Sequence, residues 1–434
     1  MALNATQQWW VRTDGAEING GGFDAAVSGA GTNYSDQASP QLALTDLTST
    51  ASTTITSATG GFTAAMIGNV LRLASGTGSP TVGYYMLTAV TNSNTATLDR
   101  ASGTYTAGVA KLGGAHAGLV NYSNGGGLPS PAIATPLLAG NTVNVRGSGS
   151  NDPSTVDYDY SAGYWTFPSG DTTSGRITFT GYNGRPMIGY SGLLFYNLDY
   201  QKLQNVVFKQ TNGSYGQGVC NSATSYMDNC SIDQNGYDST LWRGSITNSC
   251  LKNTGGTSAG AAYVLSTVSY GAILAGNVIK NIRGGGIQDT NGASVIINNL
   301  IYNCKGTTAS IALNLNFGCT IIGNTIDAGA GDGIVCQNST AIERSIIRNN
   351  IISNNTGSGK YGINCSTGTA AQNNSSIAGA WDYNNLYNNT AARNNHSAGA
   401  HDLALDPQYT NAGAGDYSVG TNMKAVGFPS VFPG

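Results

Sequence analysis

The stretch VIINNLIYNC, residues 295–304, places two adjacent asparagines inside an otherwise apolar segment. Asparagine is a poor residue for both helices and strands, so Asn298 and Asn299 interrupt a run that otherwise suits a core. Short apolar runs that contain one or two asparagines recur several times, both before and after this stretch. The recurrence indicates that an amide is required at a fixed point of a repeating unit.

The repeating unit becomes visible when each run is aligned on the apolar residue that follows its asparagine. An asparagine lies two or three residues before each anchor, and successive anchors are 19 to 35 residues apart. Repeats of this length, built from short β-rich runs without helical periodicity, are typical of a parallel β-helix. The anchors are Phe208, Ile232, Leu251, Ile279, Ile301, Ile326, Ile352 and Tyr387.

The asparagines are predicted to form a structural ladder along the bends between strands. Asparagine tolerates left-handed backbone torsions, and its amide can bond to the equivalent amide one coil away. A buried amide is costly unless its polar atoms are satisfied, and a column of amides satisfies them. The alternative is that these runs are surface loops of an ordinary sandwich. The predicted ladder residues are Asn205, Asn229, Asn248, Asn277, Asn299, Asn324, Asn350 and Asn385.

A fainter signature falls between some anchors and predicts a further short strand in the unit. If the alignment is correct, Asp289 shares a row with Cys336 and Cys365. An inward carboxylate is costly without a partner, which leaves a shifted register or a local bond to asparagine as alternatives. The signature occurs as GVC (218–220), GIQD (286–289), GIVC (333–336) and GINC (362–365).

Charge is scarce in the chain, which has 434 residues. Only 9% of them are charged, against about 25% in an average protein. A hydrophobic content of 40% favours an ordered all-β structure over disorder. The net charge is −3 and no lysine or arginine cluster occurs, so no nucleic-acid-binding surface is expected.

Neither a membrane span nor a secretory signal is predicted. No apolar run approaches the roughly 18 residues that a membrane helix needs. The N-terminus, MALNATQQWWVRTDG, lacks the basic and apolar regions of a signal peptide. A protein of this kind that works outside a cell would therefore leave by another route, such as lysis.

No cofactor or metal is expected. The seven cysteines form no CxxC pair, and they are interpreted as small buried thiols. His116, His396 and His401 are far apart in the sequence, which argues against a metal triad. The stretch GAGDGI (329–334) is similar to one repeat of a calcium-binding β-roll, but it occurs once.

Composition and strand signals divide the chain into four predicted parts. Residues 1–45 are interpreted as an N-terminal cap segment. Residues 46–113 contain alternating strands joined by Gly, Ser and Asn turns, which predict an inserted antiparallel β module. Residues 114–400 are predicted to form the parallel β-helix, and residues 401–434 a C-terminal cap and tail.

Several of these segments resemble known proteins. The segments GNTVNVRG (140–147) and RITFTGYNG (176–184), the asparagine repeats, and the terminus DPQY…GDYSVG (406–420) resemble right-handed parallel β-helix proteins of the pectate-lyase-like superfamily. The opening block, WWVRTDGAEINGGGFDAAVSGAGTNYSD (9–36), looks like the front end of phage-type β-helix virion proteins. The resemblance implies an all-β chain, a single-stranded right-handed parallel β-helix (solenoid) with a small N-terminal antiparallel module.

The same resemblance implies a function. Such virion proteins are often homotrimers and serve as tailspikes, fibres or capsid decorations. The leading hypothesis is a non-catalytic virion structural protein, located at the virion surface and extracellular when mature. Its partners would be copies of itself, a capsid or tail protein, and a surface polysaccharide, with no membrane or nucleic acid. The alternatives are a polysaccharide depolymerase and a bacterial cell-surface β-helix protein.

The depolymerase alternative requires convergent carboxylates, about 5 Å apart in a retaining glycosidase. The best acidic group in the sequence is Asp228, Asp233 and Asp238, with Arg243 nearby. On consecutive strands some of these side chains could share one face. The alternative is that they are ordinary solvated turn aspartates, and no catalytic residue is assigned.

Overall fold

The computed structural model is all-β, as the sequence predicts: strands account for 45% and helices for 2%. The structure describes residues 3–118, 137–160, 168–190, 199–211, 219, 222, 224–235, 244–253, 265–267, 271–282, 284–289, 293–304, 313–315, 318–337, 345–367, 369, 373 and 380–420. For residues 265–267 and 313–314 it describes only the backbone.

The chain divides into two compact units. The first contains Met1–Tyr190 with Leu194–Val207, and the second Ser191–Leu193 with Phe208–Gly434. The four domain boundaries drawn from composition stay a prediction.

The first unit contains a closed antiparallel barrel of six strands, which confirms the small antiparallel module. Its interior is filled by aliphatic and aromatic side chains such as Leu47, Ile55 and Tyr85, all nearly inaccessible to solvent. A 3-10 turn at Ala64–Met66 precedes the third strand of the barrel. The barrel strands are β3 (Leu42–Thr50), β4 (Thr54–Thr56), β5 (Val70–Pro80), β6 (Gly83–Asn92), β7 (Thr95–Leu98) and β8 (Gly103–Leu112), in the order β3-β4-β7-β6-β5-β8.

The other strands of the first unit form two mainly parallel sheets. In the larger sheet, β1 pairs in parallel with β9 and in antiparallel with β2. The order β2-β1-β9-β11-β13 is made by β1 (Gln8–Val11), β2 (Gly22–Phe23), β9 (Thr142–Arg146), β11 (Ile177–Tyr182) and β13 (Gln201–Gln204). The smaller sheet pairs β10 (Tyr158–Tyr160) with β12 (Met187–Tyr190).

The second unit is built from three parallel sheets of short strands. The first sheet is β15 (Tyr226–Asp228), β17 (Ser245–Thr247), β20 (Ile273–Ala275), β23 (Val295–Ile297), β26 (Thr320–Ile322), β29 (Ile346–Arg348) and β32 (Trp381–Asp382). The second is β14 (Val207–Gln210), β16 (Ser231–Asp233), β18 (Cys250–Lys252), β21 (Val278–Lys280), β24 (Leu300–Tyr302), β27 (Thr325–Asp327), β30 (Ile351–Ser353) and β33 (Asn385–Tyr387). The third is β19 (Leu265–Thr267), β22 (Ile287–Asp289), β25 (Leu313–Leu315), β28 (Ile334–Cys336), β31 (Tyr361–Cys365) and β34 (Ala391–Asn394).

From β20 onward the chain visits the three sheets in a fixed cyclic order. One passage through the first, second and third sheets is called a coil here. Each strand pairs in parallel with the equivalent strand of the next coil, without a register shift, as when Ile301 pairs with Ile326. The order is compatible with a solenoid-like fold.

In the first and second sheets the interior of the second unit is formed by the middle residue of each three-residue strand, and in the third sheet by flanking residues such as Ile287 and Cys336. In the second sheet these residues are the predicted anchors up to the last coil, where Ile352 pairs with Leu386 and not with Tyr387. Each is at most 3% exposed, and burying one aliphatic side chain contributes about 1.5–3 kcal/mol. Stacked isoleucine and leucine rows therefore supply the hydrophobic stabilisation of the coils.

Candidate functional site

A column of buried asparagine side chains lies at the turn from the first sheet to the second. From Asn299 onward, each Oδ1 accepts two hydrogen bonds from the asparagine of the preceding coil, one from the backbone N–H and one from Nδ2. For Asn299 and Asn324 both bonds measure 2.9 Å. Nδ2 of Asn324 also donates to the Ile296 carbonyl at 2.8 Å. The column consists of Asn277, Asn299, Asn324, Asn350 and Asn384.

Four predicted ladder residues lie one position away from this column. Asn205, Asn229 and Asn248 occupy the preceding turn position, where φ is between 49° and 56°. The Asn248 amide donates outward to Asp228. Asn385 exchanges two hydrogen bonds with the backbone of Leu405.

The turn therefore has two roles carried by two consecutive residues. The first residue adopts positive φ, as Asn298 does at 54°, and the second residue points inward. In the earlier coils the inward position holds Ser249 and Cys230, and the Ser249 hydroxyl accepts from the Cys230 N–H at 3.0 Å. The Ser249 N–H donates to Asn277 Oδ1 at 3.0 Å, so the column continues without an asparagine.

The column ends at a carboxylate in the last coil. Asp402 Oδ1 accepts the Asn384 N–H at 2.8 Å and its Nδ2 at 3.4 Å. Asp402 Oδ2 accepts the Gly399 N–H at 2.9 Å and forms an ion pair with Arg393 at 2.7 Å. Because the column presents N–H donors at this end, an acceptor-only side chain closes it, and Arg393 balances its charge.

Replacing Asp402 by alanine is expected to lower the free energy of unfolding by about 3–5 kcal/mol, because it leaves the partly buried guanidinium of Arg393 and two backbone N–H groups without their acceptor. Asp402→Asn keeps the Oδ1 acceptor and is expected to lose less. The measurement is urea denaturation of the full chain. The control is Asp406→Ala, since Asp406 is exposed and accepts only a local bond from Gln408. Equal losses in D402A and D406A would contradict the capping role.

The predicted acidic group stays a prediction, and hydrogen bonds are known for two of its members. Asp228 accepts from the Thr247 hydroxyl at 2.7 Å and from Asn248 at 3.0 Å. Asp233 is buried and accepts the Asn235 N–H at 2.9 Å. Asp238 and Arg243 lie outside the described residues. The two described carboxylates therefore take part in hydrogen bonds that hold turns and neighbouring coils together.

Asp289 lies in the register that the sequence suggests. It is aligned with Leu315, Cys336 and Cys365 through successive strands of the third sheet and is fully buried. Its carboxylate accepts from the Ser294 hydroxyl at 2.8 Å and from the Cys319 thiol at 3.1 Å. These partners account for a carboxylate inside the third sheet without a catalytic role.

The described cysteines are free thiols, and all of them except Cys250 are buried. Burial raises the pKa of Cys304 and of Cys365 to about 12. Cys220 lies outside the described residues. Protonated, buried thiols of this kind act as small apolar side chains.

The three histidines have different environments. His116, in the first unit, is fully buried, and its ring stacks on Trp9 with centroids 6.1 Å apart. His396 is mostly buried against Trp381, and burial lowers its pKa. His401 is more than half exposed and contacts Asp382 at 2.8 Å.

The His401 ring is held in a defined orientation in the last coil. Asp382 accepts the His401 N–H at 2.8 Å and contacts its Nδ1, while the ring stacks on Tyr383 with centroids 4.4 Å apart. Burial raises the pKa of Asp382, but the hydrogen bonds from His401 and Tyr383 outweigh it and hold that pKa below its ordinary value. A histidine that donates through Nδ1 directs a basic Nε2 away from the carboxylate.

Residues 403–420, called the C-terminal strap here, return along the outer face of the second sheet. Leu403 forms a parallel bridge to Asn385 in the last coil. One coil earlier, the Tyr409 hydroxyl lies 2.8 Å from the Ser353 hydroxyl. A further coil back, the Tyr417 hydroxyl donates to Asp327 at 3.1 Å. The strap therefore connects several consecutive coils.

Tyrosine rings and a shared carboxylate fasten the strap. The Tyr417 ring lies 4.9 Å from that of Tyr302 and 4.8 Å from that of Tyr409. Asp327 also accepts from Ser353 at 2.6 Å and from Asn354 at 2.7 Å. Burial, followed by the proximity of Asp327, raises the pKa of Tyr417, so its hydroxyl keeps the donated proton at ordinary pH.

Sequence reasoning missed Asp402 as the end of the column and the two strap tyrosines. The motif DPQY…GDYSVG signals two turns, but nothing local in it specifies contact with residues 56 to 90 positions earlier. The partners of Asp402 are likewise set by the last coil and not by a spacing pattern. These contacts are tertiary and have no periodic signature.

No protein-family model matches the chain, and no curated protein matches it. Among the described residues, no helix is long and apolar enough to span a membrane. In the same part of the chain, no group of three or more His, Cys, Asp or Glu side chains is arranged to hold a metal ion.

Proposed function

We propose that the chain is a non-catalytic structural protein of a virion surface, a capsid decoration, tailspike or fibre that serves assembly or host attachment. The observation that carries this proposal is the asparagine column, whose hydrogen bonds run from Ser249 through to Asp402. Buried polar networks that are fully satisfied rigidify a fold. A rigid stack of coils suits a protein that bears load or presents a surface.

We also propose that the chain folds as a single-stranded right-handed parallel β-helix. The fixed cyclic order of the three sheets in the second unit supports winding in one direction. Connections between parallel strands of one sheet are right-handed in about 98% of cases, which supports the right-handed sense. Resemblance of the sequence to pectate-lyase-like proteins agrees with this choice.

The environment of the candidate acids supports a non-catalytic role. Asp228 bonds to two side chains of the next coil, and Asp233 to a turn N–H. A glycosidase needs one carboxyl that holds a proton and a second that faces the substrate at a defined separation. Carboxylates engaged in bonds between coils are better suited to stabilising the stack.

Self-association, as a homotrimer, is part of the proposal. Ile273 and Ile346 lie on the outer face of the first sheet and are 46% and 41% exposed. Large exposed aliphatic side chains on one face favour a protein contact. The other proposed partners are a capsid or tail protein and a host-surface polysaccharide, consistent with an extracellular location in the mature virion.

One observation favours the alternative, a polysaccharide depolymerase. His401 is oriented by Asp382 and is 57% exposed, as a general base positioned by a carboxylate would be. The dyad lies in the last coil, beside Tyr383, where a sugar could approach. The alternative therefore predicts that His401 carries activity.

An activity screen distinguishes the two proposals. The purified chain is incubated with bacterial capsular and pectic polysaccharides, and new reducing ends and unsaturated products are measured. The structural role predicts no turnover by the chain or by its Asp228→Asn, Asp233→Asn and His401→Asn variants. Turnover that any of these substitutions abolishes would establish the depolymerase instead.

Light scattering tests the proposed trimer independently. The mass in solution is expected to be three times that of the 44.4 kDa chain. Ile273→Asp with Ile346→Asp is expected to dissociate it, because both charges would be placed in the contact. A monomer at micromolar concentration would contradict the homotrimer.

A further inference from the structure

The barrel of the first unit carries two adjacent cations on its outer face. Arg72 on β5 is the register partner of Lys111 on β8 and, on its other side, of Tyr84 on β6. Alternate residues such as Leu71 and Leu112 fill the interior, so Lys111, Arg72 and Tyr84 form a row outside it. Like charges directly opposite each other in a sheet are unfavourable. The row therefore favours a negative charge close to the two cations.

No carboxylate of the first unit is paired with either cation. Every aspartate and glutamate of this unit belongs to the described residues, and among them none forms an ion pair with Arg72 or Lys111. The row continues from Lys111 to Ala43, which adds no charge. Arg72 is only 5% exposed, and a buried cation without a counter-ion is strongly unfavourable. Its charge therefore calls for an anion from outside the chain.

The loop between β1 and β2 encloses Arg72 against the barrel. One guanidinium nitrogen donates to the Glu17 carbonyl, and the guanidinium carbon lies 5.6 Å from the centroid of the Tyr84 ring. The Tyr84 ring meets those of Trp9 and His116 edge-on, at 5.9 Å and 5.7 Å between centroids. A ring face attracts a cation without neutralising it. The charge of Arg72 accordingly adds to burial in lowering the pKa of His116.

Two polar atoms of this row have no hydrogen-bond partner within the part of the chain that the structure describes. They are Nε of Arg72 and the hydroxyl oxygen of Tyr84, and the Tyr84 side chain is 1% exposed. Both groups can donate a hydrogen bond. A buried polar group without a protein partner commonly bonds to an ordered water or an ion. Two donors beside an uncompensated positive charge favour an anion.

We propose that Arg72, Lys111 and Tyr84 form a binding site for a small inorganic anion such as chloride. Arg72 donates to the anion through Nε in a charge-assisted hydrogen bond, Tyr84 donates through its hydroxyl, and Lys111 adds positive charge. Because Arg72 and Tyr84 are almost completely enclosed, the site admits a single small ion and excludes an anionic polymer. The bound anion neutralises the charge at the point where the β1–β2 loop packs on the barrel, so that packing depends on the anion.

The dependence of stability on chloride tests the site in the full chain. Pulse proteolysis in urea follows the peptides of residues 3–118 as sodium chloride replaces sodium gluconate at constant ionic strength, since gluconate is too large to enter. A roughly hundredfold excess of chloride over its dissociation constant is expected to raise the ratio of folded to unfolded chain about a hundredfold.

Three variants assign the effect to the row. Arg72→Met keeps a long side chain without the charge and is expected to remove the chloride dependence without destabilising the chain in gluconate, because an apolar replacement of a buried ion is often neutral. Lys111→Gln, at a half-buried position, should weaken binding about threefold. Arg100→Met is the matched control: Arg100 also lies over a barrel ring, 4.2 Å from the Tyr85 centroid, but is paired with Asp99 at 2.6 Å. It should leave the chloride dependence intact.

The NMR line width of chloride measures binding directly and without unfolding. The quadrupolar line should broaden with the wild-type chain and with Arg100→Met, broaden less with Lys111→Gln, and stay narrow with Arg72→Met. Lys111→Gln keeps the test decisive if Arg72→Met folds poorly. An equal loss in Arg72→Met and Arg100→Met would overturn the site. So would a wild-type chain that is equally stable in chloride and gluconate and leaves the line narrow, because the two donors would then be hydrated. Neither measurement depends on whether the chain is a trimer or cleaves a sugar.

Discussion

Replacing Asn324 by alanine is expected to destabilise the second unit by about 3–6 kcal/mol, a large fraction of the stability of a typical domain. The substitution removes the acceptor of two Asn299 donors, its backbone N–H and its Nδ2. It also removes the donor to the Ile296 carbonyl. Asn299 and Asn324 are at most 2% exposed, so water cannot replace these bonds without opening the coil.

The measurement is urea denaturation followed by far-ultraviolet circular dichroism, with wild-type and variant chains compared at one pH. Asn248→Ala is the control, because Asn248 lies at a turn of the same kind but directs its amide outward to Asp228. Its expected cost is about 1 kcal/mol, mainly from placing alanine at positive φ. Asn324→Ser should fall between the two, since Ser249 accepts a column hydrogen bond with its hydroxyl.

If Asn324→Ala were no more costly than Asn248→Ala, the column would not hold the coils together. A second check is hydrogen exchange at the Asn299 and Asn350 amides. The Asn299 N–H should lose protection in the variant because its acceptor is the deleted Oδ1. The Asn350 N–H should be less affected, because it donates to Asn384.

The periodic part of the fold could be predicted from the sequence because it depends on local chemistry. Anchors such as Ile279 and Ile326 recur with each coil, and stacking them requires only that their rows stay in register. Asn298 and Asn299 also signal a turn by themselves. An all-β chain with repeated parallel pairing follows from these features.

Which of the two turn residues points inward could not be predicted from the sequence. Where both turn residues are asparagine, as at Asn298 and Asn299, the one two places before the anchor is the inward one. Where a single asparagine follows another residue type, as at Asn248, that asparagine takes positive φ and Ser249 points inward. Where it follows a glycine, the glycine takes positive φ and the asparagine, such as Asn324, points inward. In the last coil Tyr383 takes positive φ, which is uncommon for an aromatic residue. The predicted ladder residue Asn385 is therefore one position too late, because Asn384 is the residue that joins the column.

The candidate site was the least predictable feature because it depends on contacts distant in sequence. Asn350 and Asn384 are 34 residues apart and become neighbours only when their coils stack. Tyr417 reaches Asp327 across 90 residues. Such contacts stay hidden in the sequence until the register of the sheets is known.

Acidification from pH 6.5 towards pH 4.5 is expected to destabilise the first unit through His116. The ring is fully buried, and burial, aided by the charge of Arg72, lowers its pKa from 6.5 to about 3. Nε2 contacts the Asn19 carbonyl at 3.1 Å, an interaction that opposes the shift. Because the unfolded chain binds a proton near pH 6.5 and the folded chain does not, unfolding is favoured as the pH falls.

The expected slope is about 1.4 kcal/mol per pH unit between the two pKa values. Stability from this group is fully present above pH 6.5 and is lost progressively as the pH falls towards about 3. The carboxylates with lowered pKa, such as Asp14 and Asp382, stay ionised in the upper part of this window and add little slope there. In the upper part of this window the change of stability with pH therefore comes mainly from the histidines.

Pulse proteolysis in urea, read by mass spectrometry, follows peptides of residues 3–118 separately from the rest of the chain. His116→Gln keeps a donor for Asn19 but cannot titrate, so the pH slope of these peptides should disappear. His396→Gln is the matched control: burial also lowers the pKa of His396, but that residue belongs to the second unit. It should leave the slope of residues 3–118 intact. A slope that persists in His116→Gln would show that other titratable groups produce it, and would contradict its assignment to the buried ring beside Trp9.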